Sequence, residues 1–287
     1  MHKNGGYVLI YNTKIITYPD GKVQVKFYSK EIHVSDSVSE KIQEARQHTL
    51  ETSDYSTTDP DLLIYQSKSR TIQNIYNIAR SNIWDYFVTF TFNSARVNRQ
   101  SYEDCYQAVK KYCDYIRKFY CPDLKYMLIP ELHSDGVSWH FHGLFSNCLE
   151  LPLEVAKNKN NESLVDKKGR FIYNAPSYIY GFSTLTRIDD NFAVISYMTK
   201  YVTKNLFDIT QGKNRYFCSR NVSRPDCKVA NISQQELEKL LLRNGIETKF
   251  TKTVGTDEDK LTIFEIDSKL RDFYDGFQNV FFDWDDL

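Results

Sequence analysis

Two histidines, His140 and His142, stand one residue apart in VSWHFHGLF (137–145), and Glu131 precedes them by nine positions. Further along, VISYMTKYVTKNL (194–206) sets Tyr197 and Tyr201 four apart, with Lys200 and Lys204 interleaved. One carboxylate with two imidazoles suits a divalent ion that keeps positions open for substrate oxygens. Phenols beside lysines suit attack on an electrophile that such an ion has polarised. Each set also has an ordinary reading, as a polar sheet face and as a helix with half-buried tyrosines.

Strand geometry decides whether the first set can act together. Residues two apart on a strand share a face, so His140 and His142 project side by side. Upstream lies PELHSDGVSWHFHG (130–143), whose Asp135-Gly136 pair favours a two-residue type I′ hairpin turn. That turn sets Ser134 against Val137, His133 against Ser138, Leu132 against Trp139 and Glu131 against His140. Leu128, Pro130, Leu132, Trp139 and Phe141 then fall on one, apolar face. Glu131, His133, Ser138, His140 and His142 fall on the other. Cross-strand partners lie about 5 Å apart at Cβ, a workable span for three ligands on one Mn²⁺ or Mg²⁺ ion. A structural zinc site more often contains cysteine. His133 is a fourth candidate beside the turn.

The tyrosines belong to a helix expected over about 189–206. At helical spacing Tyr197, Lys200, Tyr201 and Lys204 share one stripe, while Val194, Ile195, Met198 and Val202 point elsewhere. Phenolate formation at pH 7 costs roughly 4 kcal/mol. A metal ion on phosphate oxygens and a neighbouring lysine offset that cost by stabilising developing charge.

Around these motifs the pattern predicts strands at 84–93, 124–132, 137–146 and 182–188, and helices at 67–81 and 100–120, the second capped by Ser101. The stretch 150–175 reads as loop. The order suits an α+β fold, a central antiparallel sheet with helices packed on one face. Residues 7–34 read as two or three strands turning at Tyr18-Pro19-Asp20-Gly21. Residues 35–66 read as a short helical stretch and a linker, ETSDYSTTDPD, and 233–244 as a helix before Gly245. The rest of the C-terminal segment is mixed and acidic.

Formal charge is zero over 287 residues, but its distribution is uneven. Residues 66–120 carry nine Lys/Arg against four Asp/Glu, and 196–230 carry seven against two. Residues 231–287 carry seven against thirteen. A basic middle in a chain with 21 Tyr and 18 Phe suits single-stranded nucleic acid, with Lys68, Arg70, Arg96, Arg99, Arg215 and Arg220 as candidate DNA contacts. The six cysteines are scattered without a CxxC pair, as in the reduced thiols of a cytoplasmic protein. No apolar run approaches a membrane span, so no membrane partner is expected.

Three motifs in order carry a resemblance. FVTFTF (87–92), WHFHGLF (139–145) and YMTKYVTK (197–204) resemble the first-strand, His-hydrophobe-His and catalytic-tyrosine motifs of the HUH endonuclease superfamily, specifically rolling-circle replication initiators of bacteriophage or plasmid type. The paired tyrosines are most similar to initiators of microvirus-like phages. GKNRYFCSRNVSRP (212–225) also resembles a segment that follows the tyrosine helix in related phage proteins. The resemblance covers about 84–225. It implies an HUH endonuclease domain of RRM- or ferredoxin-like fold at 66–230, flanked by a β-rich extension and linker at 1–65 and an acidic helix and tail at 231–287. It implies Glu131, His140 and His142 as ligands of Mn²⁺ or Mg²⁺, and Tyr197 or Tyr201 as nucleophile on a single-stranded, hairpin-containing DNA origin. Lys200, with Lys204 on the same stripe, would neutralise the phosphate. The product would be a 5′-phosphotyrosine and a free 3′-hydroxyl, in the cytoplasm of a bacterial host whose helicase and polymerase follow. A transposase or plasmid relaxase with the same chemistry, or a non-enzymatic DNA-binding protein, are the alternatives.

Overall fold

The computed structural model describes residues 8–35, 60–200, 213–243, 248–255, 260–266 and 282–283. The chain divides into two compact units, Thr58–Arg224 and Met1–Thr57 with Pro225–Leu287. In chain order the elements begin with β1 (Val8–Thr17), β2 (Val23–Ser35), α1 (Pro60–Arg80), β3 (Tyr86–Phe92) and α2 (Tyr102–Phe119). Next come β4 (Lys125–Leu132), β5 (Trp139–Ser146), β6 (Glu154–Val155), β7 (Ile172–Asn174), β8 (Gly181–Arg187) and α3 (Asn191–Lys200). The remainder is β9 (Phe217–Cys218), β10 (Asp226–Ala230), α4 (Gln234–Arg243), β11 (Thr248–Gly255), β12 (Lys260–Ile266) and β13 (Phe282–Asp283).

The 58–224 unit is built on an antiparallel sheet of order β6-β7-β8-β3-β5-β4-β9 among the described residues. The expected α+β class holds, but the helices lie on both faces rather than one. On one face, Cys105, Val109, Tyr112, Cys113 and Ile116 of α2 pack on Val88, Phe90, Leu128, Phe141 and Phe145. On the other, Ile75, Ile78 and Ala79 of α1 and Val194, Ile195 and Met198 of α3 cover Met127, Ile129 and Leu144, with Phe87 beside them. The reason is visible in MLI (127–129) and GLF (143–145), continuous apolar runs that need cover on both sides.

Local chemistry fixes the helix ends. Ser101 caps α2 by accepting a hydrogen bond from the Asp104 N–H at 3.2 Å. Asp190 accepts from the Ala193 N–H at 3.2 Å at the start of α3, and Asn191 Oδ1 accepts from the Trp84 N–H at 2.8 Å, tying that start to the approach to β3. Helix α1 begins at Pro60, earlier than its apolar spacing predicts, because proline suits the first helical position. The stretch read as loop at 150–175 contains the short pair β6–β7, in which Glu154 opposes Asn174.

The other unit joins the two ends of the chain in one sheet of order β11-β12-β2-β1-β10-β13 among the described residues. The β1–β2 turn closes as its Pro-Asp-Gly residues predict, with Gly21 at φ 82. Strand β1 pairs with β10, Thr13 opposite Ala230 and Thr17 opposite Asp226. Asn12 reinforces the junction, donating to the Ile232 carbonyl at 2.7 Å and accepting from its N–H at 3.0 Å. Ser233 and Glu236 form a reciprocal capping box at the start of α4, which buries Leu237 with Ile15, Val25, Ile232 and Ile266. The flanking segments, expected as separate extensions, therefore form one sheet, and β10 lies in it rather than in the central domain. The acidic C-terminal segment contributes β11 and β12, whose alternation in KLTIFEI its overall composition conceals. The helical stretch and linker expected before residue 60 lie largely outside the described residues.

Among the described residues no helix is long and apolar enough to cross a membrane. All six cysteines are thiols, none in a disulfide.

Candidate functional site

The hairpin between β4 and β5 has the predicted register. Glu131 opposes His140, Leu132 opposes Trp139 and Ile129 opposes His142. Its turn differs from the expected one. Among the described residues the non-glycine positions of positive φ are Asn147 and Asn161, so Asp135 does not adopt a type I′ conformation. The Gly136 N–H instead donates to the His133 carbonyl at 2.8 Å, with Gly136 alone at φ 71, and the His133 N–H donates to the Ser138 carbonyl at 2.7 Å. Residues 134–137 thus form a four-residue loop. Asp135 holds it by accepting from the Ser138 hydroxyl at 2.6 Å and from the Ser138 and Val137 N–H groups at 2.8 and 3.0 Å. Those bonds hold the Asp135 carboxyl well below the usual carboxylate range. The longer loop is centred on the same point as the two-residue one, so every pair beyond it is unchanged.

Alternation brings Glu131, His140, His142 and Thr89 onto the sheet face that α1 and α3 cover further along; Thr89 is the β3 partner of His142. Oε2 of Glu131 lies 2.7 Å from Nε2 of His142. The Thr89 hydroxyl lies 3.0 Å from the other ring nitrogen, Nδ1, which directs Nε2 toward the carboxylate. His140 stacks on His133 with ring centroids 4.7 Å apart, and its centroid is 6.3 Å from that of His142. Burial first, then the neighbouring His133 and His142, push the His140 imidazole below its ordinary value. Its neutral form is the one that binds metals.

The donor set fits a divalent ion in part. Two adjacent ligands at about 2.1 Å from one ion stand about 3 Å apart, close to the Glu131–His142 separation. Among the described residues, however, no three His, Cys, Asp or Glu side chains converge on a common point. His140 is the outlier, and a rotation off His133 would bring it in.

Phe87 links this cluster to the tyrosine helix. Its ring stacks 6.1 Å from that of His142 and meets Tyr197 edge-on at 5.2 Å. Tyr197 is 44% exposed, while Val194, Ile195 and Met198 of the same helix are buried, as the helical stripe predicts. Burial drives the phenols of Tyr102, Tyr112, Tyr126 and Tyr178 to higher values, away from a nucleophilic form. The site is therefore a carboxylate and a group of imidazoles on a sheet, with an accessible phenol one ring away. Lys200 ends α3, with only its backbone described, and Tyr201 and Lys204 lie outside the described residues.

The candidate DNA contacts are dispersed. Lys68 and Arg70 lie on α1, and Arg96 and Arg99 are exposed on the loop after β3. That loop abuts the hairpin, since the Arg99 carbonyl accepts from the Trp139 N–H at 2.8 Å. The Arg215 guanidinium donates to the Ser67 hydroxyl of α1 at 2.6 Å. Arg220 is exposed at the opposite end of β4, where the neighbouring Ser219 bonds the Tyr126 backbone, about 16 Å along the strand from Glu131. Thr89 and Phe87 were missing from the sequence-derived site. Their signal was the alternation of FVTFTF, which puts both on the face of His142.

No curated protein and no solved structure matches the chain. Residues 85–206, less than half of its length, match the family model described as Replication-associated protein ORF2. The matched span runs from the start of β3 through α3 and holds Glu131, His140, His142, Tyr197 and Tyr201, and the match supports a Rep-type replication initiator.

Proposed function

We propose that the 58–224 unit nicks single-stranded DNA at a replication origin by tyrosine attack, in the manner of HUH initiators of phage or plasmid type. The observation that carries this reading is the single sheet face shared by Glu131, His140 and His142, with Tyr197 on the far side of the Phe87 ring. A divalent cation, Mn²⁺ or Mg²⁺, held by Glu131, His140 and His142 would polarise the scissile phosphate. The Tyr197 or Tyr201 oxygen bonds to phosphorus as the P–O3′ bond breaks. The phenol loses its proton and the departing 3′-oxygen gains one, leaving a 5′-phosphotyrosine and a 3′-hydroxyl that primes synthesis. Lys200 and Lys204 neutralise phosphate charge, and the second tyrosine permits a later cut and rejoining.

A second reading, a non-enzymatic DNA-binding protein, draws on the direct Glu131–His142 contact, which satisfies both groups without an ion. A relaxase or transposase would use the same residues on other DNA. The test is to incubate the chain with Mn²⁺ and labelled single strands tiling the DNA that encodes it, and to look for a covalent protein–DNA band. Loss of the band in Tyr197→Phe, Tyr201→Phe or the double variant supports the nuclease. A band that survives the double variant sinks the nucleophile assignment. A band that survives His140→Ala with His142→Ala sinks the metal assignment.

A further inference from the structure

Beyond the end of the family match, the segment 213–224 faces α1 across a cleft of about 420 Å³ lined by Thr71, Lys213, Asn214, Arg215, Tyr216, Cys218 and Arg224. Three of these side chains are cationic, and none of the described lining residues is a carboxylate. Arg70 stands close enough to add to the field. Burial, and after it Arg70, push the Arg215 guanidinium below its ordinary value.

The charges are also fixed in place. Nη1 of Arg215 donates to the Ser67 and Thr71 hydroxyls at 2.6 and 3.4 Å. The Lys213 ammonium sits over the rings of Tyr102 and Trp139, 5.3 and 5.5 Å from their centroids. The Tyr102 hydroxyl donates to the Asn214 carbonyl at 2.6 Å, anchoring the backbone between the two cations. Gathering like charges in a partly enclosed cleft is unfavourable until an anion enters it. Guanidinium groups suit phosphate oxygens, and an aromatic edge such as Tyr216 suits a base. The cleft also lies near the catalytic end of the sheet, because Trp139, under Lys213, immediately precedes His140.

We propose that this cleft is a phosphodiester subsite, holding the backbone of single-stranded DNA beyond the phosphate to be cut. The proposal rests on the nuclease reading above and extends it to residues outside the matched span.

The test uses the full chain in EDTA, with fluorescently labelled oligothymidine and anisotropy measured over a series of salt concentrations. Lys213→Glu with Arg224→Glu should weaken binding at least tenfold. It should also lower the slope of log affinity against log salt by about 1.4, at about 0.7 for each phosphate contact on a single strand. Lys110→Glu with Lys111→Glu, exposed on α2 and equal in charge change, should shift affinity less than twofold. If the glutamate pair does not fold by circular dichroism, Lys213→Gln and Arg224→Gln should each lower the slope by about 0.7. Unchanged affinity and slope in the cleft variants would overturn the subsite, as would an equal effect of the α2 pair. Equally tight, equally cleft-dependent binding of duplex DNA would overturn its assignment to single strands. Binding in EDTA needs no tyrosine chemistry. An adduct that survives the tyrosine variants would sink the nuclease reading while leaving this measurement intact.

Discussion

The Tyr197 ring meets the Phe87 ring edge-on, with centroids 5.2 Å apart. The opposite side of Phe87 is shared with His142, so one apolar ring sets the spacing between the proposed nucleophile and the proposed metal ligands. Phe87→Ala should lower unfolding free energy by about 1–3 kcal/mol, less than for a fully buried ring. It should slow adduct formation about a hundredfold, because the phenol loses its support. Denaturant unfolding and single-turnover gels measure the two effects separately. An adduct rate within twofold of the parent would show that the ring does not position the tyrosine.

Thr89 acts on His142 through Nδ1. Replacing it with valine keeps the shape and removes the hydroxyl. Mn²⁺ affinity, read by electron paramagnetic resonance, should fall about tenfold or more, while Thr89→Ser should restore it. If Mn²⁺ binding is the same in all three proteins, the hydroxyl does not orient the ligand.

Gly143 follows His142 at a point where β5 runs tight against β4. A Cβ there would collide with the Met127 carbonyl and the Leu128 side chain. Gly143→Ala should therefore cost about 1–3 kcal/mol or more in urea unfolding and disturb the Glu131–His140 register. A variant as stable as the parent would mean that the strands part without cost.

Asp135 gives the hairpin a pH dependence. Its folded carboxyl is held below the value it has in the unfolded chain. Its contribution is therefore fully present above about pH 4 and is lost as pH falls through the lower folded value. His133, 3.6 Å away, is the other titratable group facing it among the described residues. Amide-exchange protection at Val137 and Ser138 should exceed that of Asp135→Ala at neutral pH, and the gap should close in strong acid. A gap that persists there would mean that the carboxylate bonds do not hold the loop.

The hairpin register was legible in the sequence even though its turn was not. Loops of two and four residues centred on Asp135-Gly136 give the same pairs, so misjudging the turn left Glu131 opposite His140. The apolar side of α3 was legible for the same local reason, since Val194, Ile195 and Met198 announce their spacing. The orientation of His140 was not legible, because stacking on His133 is a choice of side-chain torsion that spacing does not encode. The pairing of β1 with β10 was hidden more deeply. Nothing near Thr13 in the sequence points to Ala230, and the acidic residues around β11 and β12 masked their alternation.

That pairing has a temporal consequence. Strand β1 leaves the ribosome about 210 residues ahead of β10, an interval of roughly 10–40 s at ordinary rates of synthesis. The Thr58–Arg224 unit can complete its sheet within that wait, whereas β1 and β2 must stand as a two-stranded hairpin with open edges until β10 and β12 arrive. A ribosome stalled anywhere before residue 226 should thus carry a finished central unit and an unfinished terminal one.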